Sequence, residues 1–99
     1  MAKKPETIFK EKVQKDLDEL SCWHVKIQQR AQRGIPDILL CLKGHFVALE
    51  LKKSETDRPD PLQLRNLAKI QIHGGYSFYV SPENWPEILT KLKRLAARP

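Results

Sequence analysis

Behind Pro5, the apolar residues Phe9, Val13, Leu17 and Leu20 recur every three or four positions, with Lys10, Lys12, Gln14, Lys15 and Asp18 between them. That period lines one side of a helix with apolar groups and predicts an amphipathic helix of about four turns. Trp23 to Gln28 alternates weakly and runs into the polar segment Gln28-Gln29-Arg30-Ala31-Gln32-Arg33-Gly34, which predicts a short strand and then a basic loop. Asp37 to Leu42 and His45 to Leu51 are apolar runs on either side of Lys43-Gly44, the pattern of a hairpin at the centre of a sheet. Asp60-Pro61 supplies an N-cap followed by proline at the first helical position, and Leu64, Leu67, Ala68, Ile70 and Ile72 carry a second helix as far as Gly74-Gly75. Tyr76 to Val80 reads as a further strand. Ser81-Pro82-Glu83-Asn84 opens a third helix with Trp85, Ile88, Leu89, Leu92, Leu95 and Ala96 on one face. The predicted order is α-β-β-β-α-β-α, an α/β fold.

The Pro and Gly residues punctuate this order, and no repeat, low-complexity tract or Gly/Ser linker divides it, so residues 1–99 are expected to form a single small domain. A chain of 99 residues buries only about two-thirds of its unfolded surface, which leaves one thin core. The third helix needs its apolar stripe for that core, so the stripe is expected to pack on the sheet even though Lys91, Lys93, Arg94 and Arg98 flank it in the manner of a membrane-surface helix.

Eighteen Lys and Arg against twelve Asp and Glu give a net charge of +6, which favours a polyanionic partner, nucleic acid or an anionic membrane. No apolar run approaches the roughly 18 residues of a membrane span, and no apolar segment follows Met-Ala-Lys-Lys-Pro-Glu. A soluble, intracellular, cytoplasmic protein with no membrane partner is the expectation. Cys22 and Cys41 lie in apolar surroundings without the paired spacing of a zinc site, and are expected to be free, buried thiols. His24, His45 and His73 have no metal-ligand spacing, and no Ser-His-Asp or Cys-His set is present.

The chemistry concentrates in the hairpin. Residues two apart on a strand share a face, so Glu50 and Lys52 project with Phe46 and Ala48, while Val47, Leu49 and Leu51 face the other way. If Lys43-Gly44 is a two-residue turn, Leu42 pairs with His45, and counting back sets Asp37 opposite Glu50. Cross-strand Cβ atoms stand about 4.5–5.5 Å apart, where like charges repel unless something compensates them. An exposed strand face could carry such charges as mere decoration. Here, however, both acids begin or interrupt strongly apolar runs, where an uncompensated charge costs several kcal/mol. Two carboxylates at oxygen-ligand spacing with an open water side suit a hard divalent cation, and a nearby ammonium can orient or activate water.

A third acid is expected from the first helix. Glu6 lies three residues before Phe9 and extends the inner stripe, whereas Glu11 is turned roughly 200° from Val13 and faces away. Glu6 could instead interact only with the helix N-terminus. Gln63 shares a face with Leu67 and Ile70, so its amide points inward, to a phosphate, a metal-bound water or merely the first helix.

The set Gly34-Ile35-Pro36-Asp37, Glu50-Leu51-Lys52 and Pro61-Leu62-Gln63 resembles the PD-(D/E)XK nuclease superfamily, and more closely its VRR-NUC branch of small, often virus-type nucleases; the similarity runs from Glu6 to the third helix. The resemblance implies a restriction-endonuclease-like mixed central sheet flanked by helices, and a Mg²⁺- or Mn²⁺-dependent endonuclease that leaves 5′-phosphates on DNA. It implies Asp37, Glu50 and the Leu51 backbone carbonyl as metal ligands, Lys52 as the residue that positions or deprotonates water, and Glu6 as the first-helix acid. Stand-alone members resemble Holliday-junction resolvases, so branched DNA as substrate, a homodimer and a phage or viral origin are further expectations of the resemblance.

Substrate phosphates are expected at basic residues beside this site: Lys26, Arg30 and Arg33 before Asp37, and Lys53 and Arg58 after the Glu50 strand. Gln29 and Gln32 could reach groove edges, but nothing indicates a base-specific code. Two rivals stand beside the nuclease: a non-catalytic nucleic-acid-binding module with a nuclease-like fold, and a subunit that completes a larger complex.

Overall fold

The computed structural model describes residues 2–28, 33–54 and 56–98. Over these it forms α1 (Pro5–Glu19), β1 (Trp23–Lys26), β2 (Ile38–Leu42), β3 (His45–Leu51), α2 (Pro61–Ile72), β4 (Tyr76–Val80) and α3 (Trp85–Ala96), the order expected from the sequence. The strands make one mixed sheet, β1-β2-β3-β4, in which β2 runs antiparallel to both β1 and β3, and β4 runs parallel to β3. A parallel neighbour requires a crossover, which α2 provides.

Lys43 and Gly44 have φ of 51° and 87°, both positive, as the type I′ turn demands. The turn pairs Leu42 with His45 and thereby fixes every step down the hairpin to Ile38↔Leu49. Alternation then sends Val47, Leu49 and Leu51 to one face, where they join Ile38, Leu40, Leu42 and Val80 beneath α1 and α3. Those helices contribute Val13, Leu17, Trp85, Ile88, Leu92 and Leu95, so the α3 stripe packs on the domain's own sheet. Leu17, Leu40, Leu49 and Leu92 are at most 1% exposed, and burial of each contributes roughly 1.5–3 kcal/mol. Asp16 of α1 lies at this layer and accepts the Trp85 Nε1–H at 2.8 Å, tying α1 to α3.

α2 covers β3 and β4 on the opposite face, but its apolar residues are not one stripe as the sequence pattern predicts. Only Leu67 is buried, while Leu64 and Ile72 are 51% and 77% exposed. At about 100° per residue, Leu64, Ala68 and Ile72 form a separate line, turned away from the Gln63–Leu67–Ile70 side that faces the sheet. Cys41 also departs from expectation. It is exposed, because the outer part of this face, where the registers align Trp23, Cys41 and Phe46 in one row, is open. Cys22 is half-buried against the Leu17 carbonyl, and burial pushes its thiol up, away from the reactive thiolate.

The outer edge of β4 is blocked by side chains. Val80 O faces β3, where it accepts the Lys52 N–H at 2.7 Å, so the Ser77 and Tyr79 carbonyls point outward. Gln71 Nε2 donates to the first and Asn84 Nδ2 to the second, which leaves a poor template for another strand. Among the described residues, no helix is long and apolar enough to cross a membrane.

Candidate active site

Continued one step past Ile38↔Leu49, the hairpin register sets Asp37 against Glu50. The Asp37 carbonyl accepts the Ile27 N–H at 2.8 Å, and its carboxylate reaches across to β3, where Oδ2 accepts the Leu51 N–H at 2.8 Å. The N–H and C=O of one strand residue leave on the same side, so the Leu51 carbonyl also points toward Asp37. The segment leading into Asp37 is held against α2. Gly34 has φ of +78°, and a Cβ there would lie 2.8 Å from Leu62 Cγ, so this close passage requires glycine. Asn66 Nδ2 fastens the loop by donating to the Gly34 carbonyl at 2.8 Å.

Glu50 is only 3% exposed, and its Oε2 accepts the Gln63 Nε2–H at 2.7 Å. Lys52 Nζ stands 3.5 Å from the same oxygen, its side chain 15% exposed, and lies 5.6 Å from the centre of the Tyr79 ring. Tyr79 pairs with Glu50 across the β3–β4 ladder, which explains why ring and ammonium share a face. The Tyr79 hydroxyl donates to the Asp57 carbonyl, and burial, with the Asp57 and Glu50 charges adding to it, pushes the phenol up to about 12.

Gln63 serves the fold and the site together. As N3 of α2 it completes a capping box: Asp60 Oδ1 accepts the Gln63 N–H at 2.9 Å, and Gln63 Oε1 accepts the Asp60 N–H at 3.2 Å. With the amide oxygen committed to the cap, the amide nitrogen is directed to Glu50.

Glu6 does not join the pair. It stands at the rim, 47% exposed, with Lys53 Nζ 3.5 Å away, in a cleft of about 310 Å³ also lined by Lys10, Lys52 and Asp57. Among the described residues no group of three or more His, Cys, Asp and Glu side chains could hold a metal ion. Asp37 and Glu50 stand there as two acids.

The basic residues divide. Lys26 borders a narrow cleft with Asp37, Leu51, Lys10 and Gln14. Lys53 is 70% exposed at the rim, and Arg58 is exposed. Arg33 instead borders a different cleft, along α2 with Arg65 and Lys69. Arg30, Gln29 and Gln32 lie outside the described residues. Sequence reasoning passed over Lys10, which borders both the cleft of Glu6 and Lys52 and the cleft of Asp37. The signal was present: Lys10 and Gln14 follow Glu6 at i+4 and i+8, on one line along α1.

No family model matches the chain, and no curated protein matches it. Among solved structures, one described as a VRR_NUC domain matches with a TM-score of 0.73 and 24% identity, covering 97% of this chain and 98% of that one. The two chains share a fold from end to end.

Proposed function

We propose that this protein is a Mg²⁺- or Mn²⁺-dependent endonuclease that hydrolyses phosphodiester bonds of DNA, acting on branched forms such as four-way junctions. One observation carries the assignment: the hairpin register sets Asp37 opposite Glu50, with Asp37 bonded to the Leu51 N–H and the half-buried Lys52 beside Glu50, in a fold similar to that of a VRR_NUC domain. The donor set is all oxygen, as a hard dication requires. Mg²⁺ commonly takes one or two carboxylates and completes its shell with water and substrate phosphate, so two acids suffice.

In this assignment Asp37, Glu50 and the Leu51 carbonyl hold the ion. When bound, it supplies Lewis-acid stabilisation of charge developing on the phosphoryl and leaving oxygens. Lys52 Nζ, as an ammonium, orients the attacking water and would stabilise the hydroxide left when the water's proton passes to solvent. Gln63 fixes the Glu50 carboxylate in one orientation through the 2.7 Å hydrogen bond. Lys10, Lys26, Lys53 and Arg58 bind flanking phosphates, and Glu6 steers Lys53. The products carry 5′-phosphates, and a homodimer supplies two such sites for the paired nicks of a junction.

The test is incubation with Mg²⁺ or Mn²⁺ and labelled linear, flapped and four-way DNAs, with an RNA arm, an EDTA control and Lys52→Ala. Metal-dependent products that Lys52→Ala does not form support the assignment. Binding without hydrolysis in either metal rejects it and leaves the non-catalytic module. Light scattering on the same material reads the oligomeric state.

A further inference from the structure

We infer that the open half of the sheet is a second nucleic-acid surface, a platform for an unpaired strand, separate from the carboxylate cleft and independent of the nuclease assignment. The registers set Trp23 and Phe46 two strands apart in one row, with exposures of 64% and 47%. Neighbouring strands lie about 4.8 Å apart, so the rings stand roughly 10 Å apart on one face. Phe46 is held from beneath: a Cβ at Gly75 would lie 3.1 Å from its Cδ1, so the ring rests against the α2–β4 turn.

One flank of α2 forms the wall. Arg65, Lys69 and His73 follow one another every four residues, about 6 Å apart along the helix. Lys69 joins two cavities, one of about 480 Å³ reaching Phe46 and His73 and one of about 430 Å³ reaching Arg33 and Arg65. No Asp or Glu is among the described residues that line either. Asp37 and Lys52 line other clefts, beside α1, and neither cleft shares a residue with these two cavities.

Exposed rings bordered by a line of cations match the chemistry of single-stranded nucleic acid, whose bases stack on aromatic faces while its phosphates meet Lys and Arg. A duplex seals its bases within its own stack and offers no face to Trp23 or Phe46. A second copy of the chain is a poorer occupant. In a two-fold interface the same patch meets itself, and Arg33, Arg65 and Lys69 would oppose their own copies.

Trp23 is its own reporter, because Trp85, the other tryptophan, is 3% exposed and bonded to Asp16. The experiment titrates oligo(dT) into the full chain carrying Glu50→Gln, in EDTA, and follows tryptophan emission. Quenching is expected, with affinity lowered about tenfold or more by Lys69→Glu on the exposed helix surface and also by Phe46→Ala. A blunt duplex of equal length and inorganic polyphosphate, an anion without bases, should leave the emission unchanged. Unaltered emission at saturating oligo(dT), or equal quenching by polyphosphate, overturns the platform. Emission that follows protein concentration and ignores oligo(dT) overturns it too, and assigns the face to a second copy. Catalysis plays no part in these readouts, so loss of the platform leaves the nuclease assignment standing, and failure of cleavage leaves the platform standing.

Discussion

Asp16 and Glu50 are both buried carboxylates, 9% and 3% exposed, and both accept from a neutral N–H donor and have a lysine ammonium nearby. The contacts are nearly matched. Asp16 accepts from the Trp85 indole at 2.8 Å with Lys12 Nζ at 3.1 Å, and Glu50 accepts from the Gln63 amide at 2.7 Å with Lys52 Nζ at 3.5 Å. Their surroundings separate them. Lys12 is 63% exposed and Asp16 joins two helices, a latch whose purpose is complete within the fold. Lys52 is 15% exposed and lines an open cleft, and Glu50 faces a second carboxylate across the hairpin. A buried charge is therefore no signature of chemistry by itself. What distinguishes the second region is a pair of like charges that folding alone would avoid.

Exchanging the two acids in turn should separate the roles most sharply. Glu50→Gln should lower the rate of metal-dependent cleavage by roughly 10³ or more, since the proposed assignment gives this charge to the ion. The amide keeps the side chain's shape and ends the repulsion with Asp37, which offsets the partner Lys52 loses. Urea unfolding should therefore shift by only about 1 kcal/mol or less. Asp16→Ala should do the reverse. It strands a buried indole N–H and costs about 2–3 kcal/mol, with cleavage per folded molecule unchanged. Equal effects of both substitutions on cleavage would erase the distinction.

Acid adds a finer discrimination. Burial opposes ionisation of Asp16, but the hydrogen bonds from Trp85 and Lys12 and the charges of Lys12 and Lys15 outweigh it, holding the carboxyl below its ordinary 3.8. The folded chain thus takes up this proton less readily than the unfolded chain. The stabilisation is fully present above the unfolded value and lost as pH falls through the folded one. The stability gap between the native chain and Asp16→Asn should be constant above about pH 5 and close below 3.8.

The second region was largely legible in the sequence, and the first was not. Lys43-Gly44 between two apolar runs reads as a two-residue turn, and such a turn fixes register, so the opposition of Asp37 and Glu50 follows by counting. Gln63 was legible as an inward residue because it shares a side of α2 with Leu67 and Ile70, four and seven positions on. Asp16–Trp85 spans 69 residues of sequence, and no local period reports a contact that depends on how α1 and α3 cross. The exposure of Cys41, Leu64 and Ile72 was hidden for a related reason. Apolar periodicity reports that a face exists, while cover is decided by which element lies over it. Glu6 was drawn inward by its spacing from Phe9, yet at the first turn of α1 it reaches only the rim, where Lys53 meets it.

Lysines supply the next test, of smaller size. Lys10→Ala removes a cation that borders both the Lys52 cleft and the Asp37 cleft, and should weaken cleavage about tenfold, mostly through KM, with a shallower salt dependence. Lys12→Ala, two positions along the same helix but on the latch, should leave cleavage unchanged and cost only the fraction of a kcal/mol typical of an exposed partner. A loss of cleavage in Lys12→Ala equal to that of Lys10→Ala would show that α1 contributes bulk charge rather than a directed contact.

The smallest effect belongs to Tyr79, which supports the Lys52 side of the Glu50 region. Its hydroxyl donates to the Asp57 carbonyl and its ring lies under Lys52 Nζ, so Tyr79→Phe retains the cation–π contact and removes one hydrogen bond. A loss of about 1 kcal/mol in stability is expected, with less than a twofold change in cleavage rate. Burial first, and then the Asp57 and Glu50 charges, hold the phenol near 12, so it stays protonated through the neutral and mildly basic range. The pH–rate profiles of the native chain and Tyr79→Phe should therefore superimpose up to about pH 10. A basic limb that moves in Tyr79→Phe would make the phenol a participant in proton transfer, and the Glu50 region would then hold an acid–base group with no equivalent at Asp16.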